Sequence, residues 1–134
     1  MAIDYRVNAP ITVEQFVDVL NRSTLGQRRP VADAECMAGM VRHADLMVTA
    51  WDGSLLVGVA RSVTDFHYAC YLSDLAVDVK YQRSGIGRGL IAATQQQLGH
   101  RCKIRLIAAP AAADYYSKIG FVQNTKCWEL GPPA

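Results

Sequence analysis

The sequence predicts an α/β domain with a mixed central sheet of about six to seven strands flanked by about four helices. Three observations point to this class. Runs rich in β-branched and aromatic residues alternate with helically periodic segments along the whole chain. Asp52-Gly53 sits between two such runs, the strongest short hairpin signal. The last two helical segments lie between strands, as crossovers that need parallel neighbours. At 134 residues, 51% of them hydrophobic, the chain is sized and composed as one globular domain spanning 1–134.

Residues 3–7 read as a strand closed by Asn8-Ala9-Pro10, since Pro cannot continue a ladder. Thr12 and Gln15 have capping-box spacing, and Phe16, Val19 and Leu20 follow at helical spacing, giving a helix over about 13–23. Gly26 to Pro30, with Arg28 and Arg29, is a polar break. Asp33 can cap a second helix carrying Cys36, Met37, Met40 and Val41 on one face. Residues 46–51 and 55–63 form the hairpin, and 69–79 a central strand whose alternation is disturbed around Asp74 and Asp78. Leu90, Ile91, Thr94 and Leu98 mark a helix over 86–98 that stops at Gly99. Residues 103–108 read as a buried strand, and Pro110 starts a helix that runs to Ile119, with Gly120 in the left-handed position. Short strands over 121–125 and 127–130 finish the order βααβββαβαββ.

A net charge of +2 is too small to predict nucleic-acid or membrane binding from the global field, so any basic site is local. No apolar run approaches the roughly 20 residues of a membrane span, and Met1 to Val7 has no signal-peptide pattern, so a cytoplasmic protein is expected. Cys36, Cys70, Cys102 and Cys127 form no CxxC pair, and with His43, His67 and His100 they give no zinc-site spacing, so no metal is expected. The cysteines read as reduced and structural; a catalytic Cys70 beside His67 is the weaker reading.

The chemistry lies between Asp74 and Leu90, a strand followed by a turn with Gly85 and Gly87 and then a helix. Such a turn aims backbone N–H groups at one point in front of a positive helix end, and its glycines let a phosphate approach the main chain. Arg83 and Arg88 add local charge. A dinucleotide fingerprint starting at Gly85 would need glycine at position 90, which is Leu90. A nucleotide P-loop would need Lys-Ser/Thr after Gly89, where Leu90 and Ile91 stand.

Gln82-Arg-Ser-Gly-Ile-Gly87 resembles the Q/R-x-x-G-x-G/A signature of the GNAT superfamily of acetyl-CoA-dependent N-acetyltransferases. Tyr115-Tyr-Ser-Lys-Ile-Gly-Phe121 is similar to that family's Tyr-x-x-x-Gly-Phe element, on the helix after the next strand. The resemblance implies a GNAT fold, acetyl-CoA as co-substrate, and a pantetheine arm pairing with the backbone of Leu75, Ala76 and Val77. It further implies a pyrophosphate held by Gln82, Arg83, Ser84, Gly85, Ile86, Gly87 and Arg88, and Tyr116 beside the cofactor sulfur as the acid for the departing thiolate. Many members carry an Asn after the fifth strand; Ala108-Ala-Pro110 stands here, so that contact is expected to be missing or made by main chain.

Acetyl transfer needs a neutral amine, yet an alkylamine with a pKa of about 10.4 is almost wholly protonated at neutral pH. A base, a water relay or desolvation must take the proton, and Asp74, His67 and Asp65 are the candidate bases. Tyr115, Trp51, Phe66, Tyr68 and Tyr71 read first as packing, some of them able to wall an acceptor pocket. Arg28, Arg29 and Arg61 suit either a solvated face or an acidic acceptor. The expected partner is a small-molecule amine, with a homodimer left open and no nucleic acid or membrane partner. The alternatives are a non-catalytic CoA-binding or regulatory module, and a protein lysine or N-terminal acetyltransferase.

Overall fold

The computed structural model describes residues 2–133. Among them the chain forms strands β1 (Asp4–Val7), β2 (Leu46–Asp52), β3 (Leu55–Thr64), β4 (Ala69–Val77) and β5 (Lys103–Arg105). The helices are α1 (Val13–Arg22), α2 (Ala34–Arg42), α3 (Ile86–Gln96) and α4 (Ala113–Lys118), with 3₁₀ turns at Leu25–Arg28, Val79–Tyr81 and Pro110–Ala112. The sheet order is β1-β2-β3-β4-β5, antiparallel throughout except for the parallel pair β4–β5, which the α3 crossover makes possible.

The local signals act as their chemistry requires. Thr12 Oγ1 accepts from the Gln15 N–H at 3.0 Å and Gln15 Oε1 accepts from the Thr12 N–H at 2.8 Å, a reciprocal cap on α1. Asp33 caps α2 through the Cys36 N–H. Helices α1 and α2 pack Phe16, Val19, Leu20 and Met37 on one face of the sheet, over Met47, Trp51, Leu56, Val59 and Ala76. Helix α3 places Ile86 and Leu90 on the other face, over Val48, Ala50, Val57, Ala60 and Leu72. It lies close because β3 has Gly58 beneath it, where a Cβ would come within 3.1 Å of Leu90 and 3.4 Å of Ile86.

Two irregularities shape β4. Arg61 pairs with Asp74 but Ser62 pairs with Leu72, so Ser73 is an extra residue, a β-bulge. On the other side, β4 pairs with β5 only through Ala69–Lys103, Cys70–Ile104 and Tyr71–Arg105. Beyond Tyr71 the ladder ends, so β4 and β5 part there as the two arms of a V, and from Ser73 to Val77 the β4 edge has no strand partner on that side.

The sheet has five strands among the described residues, fewer than the six to seven expected. Residues 121–130 are not strands. The edge they would join is three residues long, and Val122 and Trp128 are each 91% exposed, so pairing there would bury little apolar surface. The fourth strand ends at Val77 rather than residue 79, because Asp78 turns the chain into a 3₁₀ turn. The fifth ends at Arg105 rather than residue 108, where the V opens. Pro110 starts a 3₁₀ turn, and the helix proper begins at Ala113.

Candidate active site

The turn between β4 and α3 is fixed from beneath. Asp78 Oδ1 accepts from the Lys80 N–H at 2.9 Å, and its Oδ2 pairs with Arg22 Nη1 at 2.5 Å. Burial pushes the Asp78 carboxyl up, but the Lys80 N–H and the Arg22 guanidinium outweigh it and hold the group below its ordinary value. Arg22, at the end of α1, thus ties that helix to the start of the turn. Tyr81 donates to Asp52 at 2.6 Å, and Gln82 Nε2 donates to the Val77 carbonyl at 3.0 Å.

The chain then adopts positive φ at Arg83 (64°) and Gly85 (86°). Gly85 is the N-cap of α3 and brings no capping side chain. Its carbonyl takes the first intrahelical bond, from Gly89, so the first-turn N–H groups of Ile86, Gly87 and Arg88 remain as open donors at the positive helix end. Arg83, Ser84 and Arg88 are exposed around them. A pyrophosphate is the ligand this concavity suits.

Helix α4 reaches the start of α3. The Tyr115 hydroxyl stands 3.0 Å from where a Cβ on Gly87 would lie. Tyr116 packs edge-on against Tyr115 and Phe121, with ring centroids 5.3 and 5.4 Å away. Gly120, at φ +100°, folds the chain so that the Phe121 N–H returns to the Tyr116 carbonyl at 3.0 Å. Burial raises the Tyr116 phenol above its ordinary value, with Tyr115 adding to it, so the hydroxyl keeps its proton at neutral pH.

Leu75, Ala76 and Val77 line the free edge of β4, and Gln82 to Arg88 form the turn, so the structure brings the expected cofactor-side residues into one continuous track. The structure places the three candidate bases in different settings. Asp74 is fully buried beside the bulge: Oδ1 accepts from Arg29 Nε at 2.5 Å and Oδ2 from Arg61 Nε. Arg29 also donates to the Ser73 carbonyl at 2.7 Å and Arg61 to Ser73 Oγ at 2.9 Å. Both carboxylate oxygens are thus engaged by guanidiniums and closed to solvent, so neither is presented to an incoming amine. His67 is exposed at the β3–β4 turn, which the Gly99 N–H to Phe66 carbonyl bond ties to the far end of α3. At 1.5 Å per residue α3 is about 16 Å long, so His67 lies at the end opposite the glycine turn. Asp65 turns inward on its own loop, accepting the N–H groups of Tyr68, Ala69 and His67, which lower its pKa to about 2.

The Ser73 bulge, the Arg29–Asp74–Arg61 cluster and the Tyr115–Gly87 contact escape sequence reasoning. Arg29 and Asp74 are 45 residues apart and no spacing rule joins them; the broken alternation around Asp74 is the one trace of the bulge. Among the described residues no group of three His, Cys, Asp or Glu could hold a metal ion, and no helix is long and apolar enough to cross a membrane.

The arrangement offers a β4 edge without a strand partner beyond Tyr71, a helix end with open N–H donors, and a protonated phenol on α4, whose neighbour Tyr115 reaches Gly87. The fold recurs in known proteins. The chain is 32% identical over 71 residues to the chloroplastic GCN5-related N-acetyltransferase 2 of Arabidopsis thaliana, a match covering 49% of this chain and 26% of that protein. The chain therefore spans about a quarter of that relative's length. A protein of unknown function from meticillin-resistant Staphylococcus aureus superposes with a TM-score of 0.78, over 99% of this chain and 100% of that one at 19% identity. AAC(6')-Iy, solved with the bisubstrate analogue CoA-S-monomethyl-acetylneamine, superposes with a TM-score of 0.73 over the whole of both chains at 15% identity. The model of the acetyltransferase (GNAT) domain matches residues 14–128, which covers both the glycine turn and the Tyr116 helix, and the chain belongs to that GNAT acetyltransferase family.

Proposed function

We propose that the protein transfers the acetyl group of acetyl-CoA directly to the primary amine of a small molecule. The observation that carries this reading is the continuity of the free β4 edge, Leu75 to Val77, with the uncapped α3 turn. The edge pairs with the pantetheine amides, and the Ile86, Gly87 and Arg88 N–H groups hold the pyrophosphate while Arg83 and Arg88 supply charge. This reading puts the thioester end of the cofactor at the Ser73 bulge, where the ladder to β3 is interrupted.

The neutral amine nitrogen attacks the thioester carbon and the carbonyl becomes an oxyanion. The C–S bond then breaks, the CoA sulfur takes the Tyr116 proton, and the amine gives its own proton to water. Tyr116 is reprotonated from solvent. Asp74 acts in this scheme through the bulge it holds, as a positioning residue, and His67 takes no part. Small-molecule transfer is consistent with AAC(6')-Iy, whose bound analogue joins CoA to an acetylated neamine. The described cysteines are all free, including the exposed Cys127, which suits a reducing compartment such as the cytoplasm.

The test is release of free CoA thiol from acetyl-CoA across a panel of amines, with the acetylated product identified by mass. Amine-dependent release is expected. Binding of acetyl-CoA without release on any amine would favour a non-catalytic CoA-binding module.

A further inference from the structure

We propose that the acceptor amine carries an anionic group, a carboxylate or a phosphate, recognised by Arg105 at the vertex of the V. This rests on the acetyl-transfer reading above. Tyr71 and Arg105 are register partners in the parallel pair β4–β5, so both side chains leave the same face of the sheet, and Lys103 joins them two residues earlier on β5. It is also the face that carries Arg61 and Asp74, because Val63 pairs with Tyr71 and Arg61 lies two residues from Val63 on β3. Helices α1 and α2 cover this face over Val59 and Ala76 but stop short of the vertex, leaving Val63 48% and Tyr71 42% exposed, with Lys103 and Arg105 open to solvent.

The charge around this open face is predominantly positive. Strands β3, β4 and β5 and the loop over 23–32 contain five basic side chains, Arg28, Arg29, Arg61, Lys103 and Arg105, and one carboxylate, Asp74, while at the end of β3 Asp65 and Asp45 add two carboxylates that accept backbone N–H groups. Asp74 is already shared by Arg29 and Arg61. Among the described residues Arg28, Lys103 and Arg105 form no ion pair. An acceptor entering beside the bulge therefore meets uncompensated positive charge. A polycation is repelled there, whereas an amine with an anionic group gains charge-assisted hydrogen bonds. The same field disfavours the ammonium form of the acceptor, so the neutral nucleophile is favoured at a site with no free carboxylate base.

The experiment compares thiol release from acetyl-CoA on matched amines: a pool of L-amino acids against their amides, glucosamine 6-phosphate against glucosamine, and spermidine and kanamycin as polycations. The expected result is at least about a tenfold higher kcat/KM for the anionic member of a pair, the carboxylate and phosphate arms showing which anion is read. Arg105→Gln should erase that ratio, through KM, while acetyl-CoA affinity is retained. Preference for the neutral members or the polycations, an unchanged ratio in Arg105→Gln, or no turnover of any anionic amine by protein that binds acetyl-CoA would overturn the proposal. A chain that binds no acetyl-CoA overturns the acetyl-transfer reading first, and this one with it.

Discussion

The Tyr115 hydroxyl stands 3.0 Å from the Cβ position of Gly87, so helix α4 reaches the first turn of α3 at a residue without a side chain. The contact lies within the proposed cofactor track.

Gly87→Glu tests the track directly. The new side chain meets Tyr115 and brings negative charge to the N–H groups proposed to hold the pyrophosphate. The expected outcome is loss of CoA binding by titration calorimetry with the far-UV circular dichroism of the apo protein preserved. Retained affinity would remove the pyrophosphate from this turn.

Tyr116→Phe should lower kcat by about a hundredfold, the lower end for a general acid, with acetyl-CoA affinity unchanged. Because burial raises the Tyr116 phenol, the proton donor persists through neutral pH, and wild-type turnover should lose this acid only on the alkaline side of its ordinary value of 10.0. Unaffected turnover would take Tyr116 out of the mechanism.

Asp74→Ala leaves Arg61 and Arg29 facing each other beside the bulge without their carboxylate. Removing one partner of a buried ion pair costs about 3–5 kcal/mol, so urea unfolding should show a loss of this size. Replacing Arg61 with Met in the same chain should recover part of it. A variant as stable as the wild type but inactive would instead make Asp74 the base.

Asp65 holds the β3–β4 turn through three backbone N–H groups, and its depressed pKa of about 2 fixes the sign of a pH effect. A carboxyl depressed in the folded state contributes stability above its unfolded value of 3.8, and that contribution is lost as pH falls toward 2. The melting temperature of Asp65→Asn should lie below that of the wild type at pH 7, and the gap should close between about pH 4 and pH 2. A gap independent of pH would refute the linkage.

Much of this was legible in the sequence because it is local. The Thr12–Gln15 box, the Asp33 cap, the Asp52-Gly53 hairpin and the Gly85–Gly87 turn are each written within a few residues, and each forms as its chemistry dictates. What could not be read depends on distant partners. Arg29 and Arg61 neutralise Asp74 from separate elements, so a carboxylate that looks free in one dimension is spent in three. His67 looked suitable by its intrinsic pKa, but the β3–β4 hairpin carries it to the end of α3 opposite the glycine turn. Residues 121–130 have the composition of strands, but strand propensity is realised only against an edge, and β5 offers three residues.

The central claim is that the β4 edge and the α3 turn form an acetyl-CoA site. Thermal unfolding with acetyl-CoA, CoA, NAD and ATP in parallel tests it most directly. A ligand at about 100 times its dissociation constant adds roughly 2.7 kcal/mol. For a domain of this size that is a shift on the order of 10 °C. The account predicts such a shift with acetyl-CoA and CoA and none with NAD or ATP; no shift with either CoA species well above micromolar concentration would contradict it.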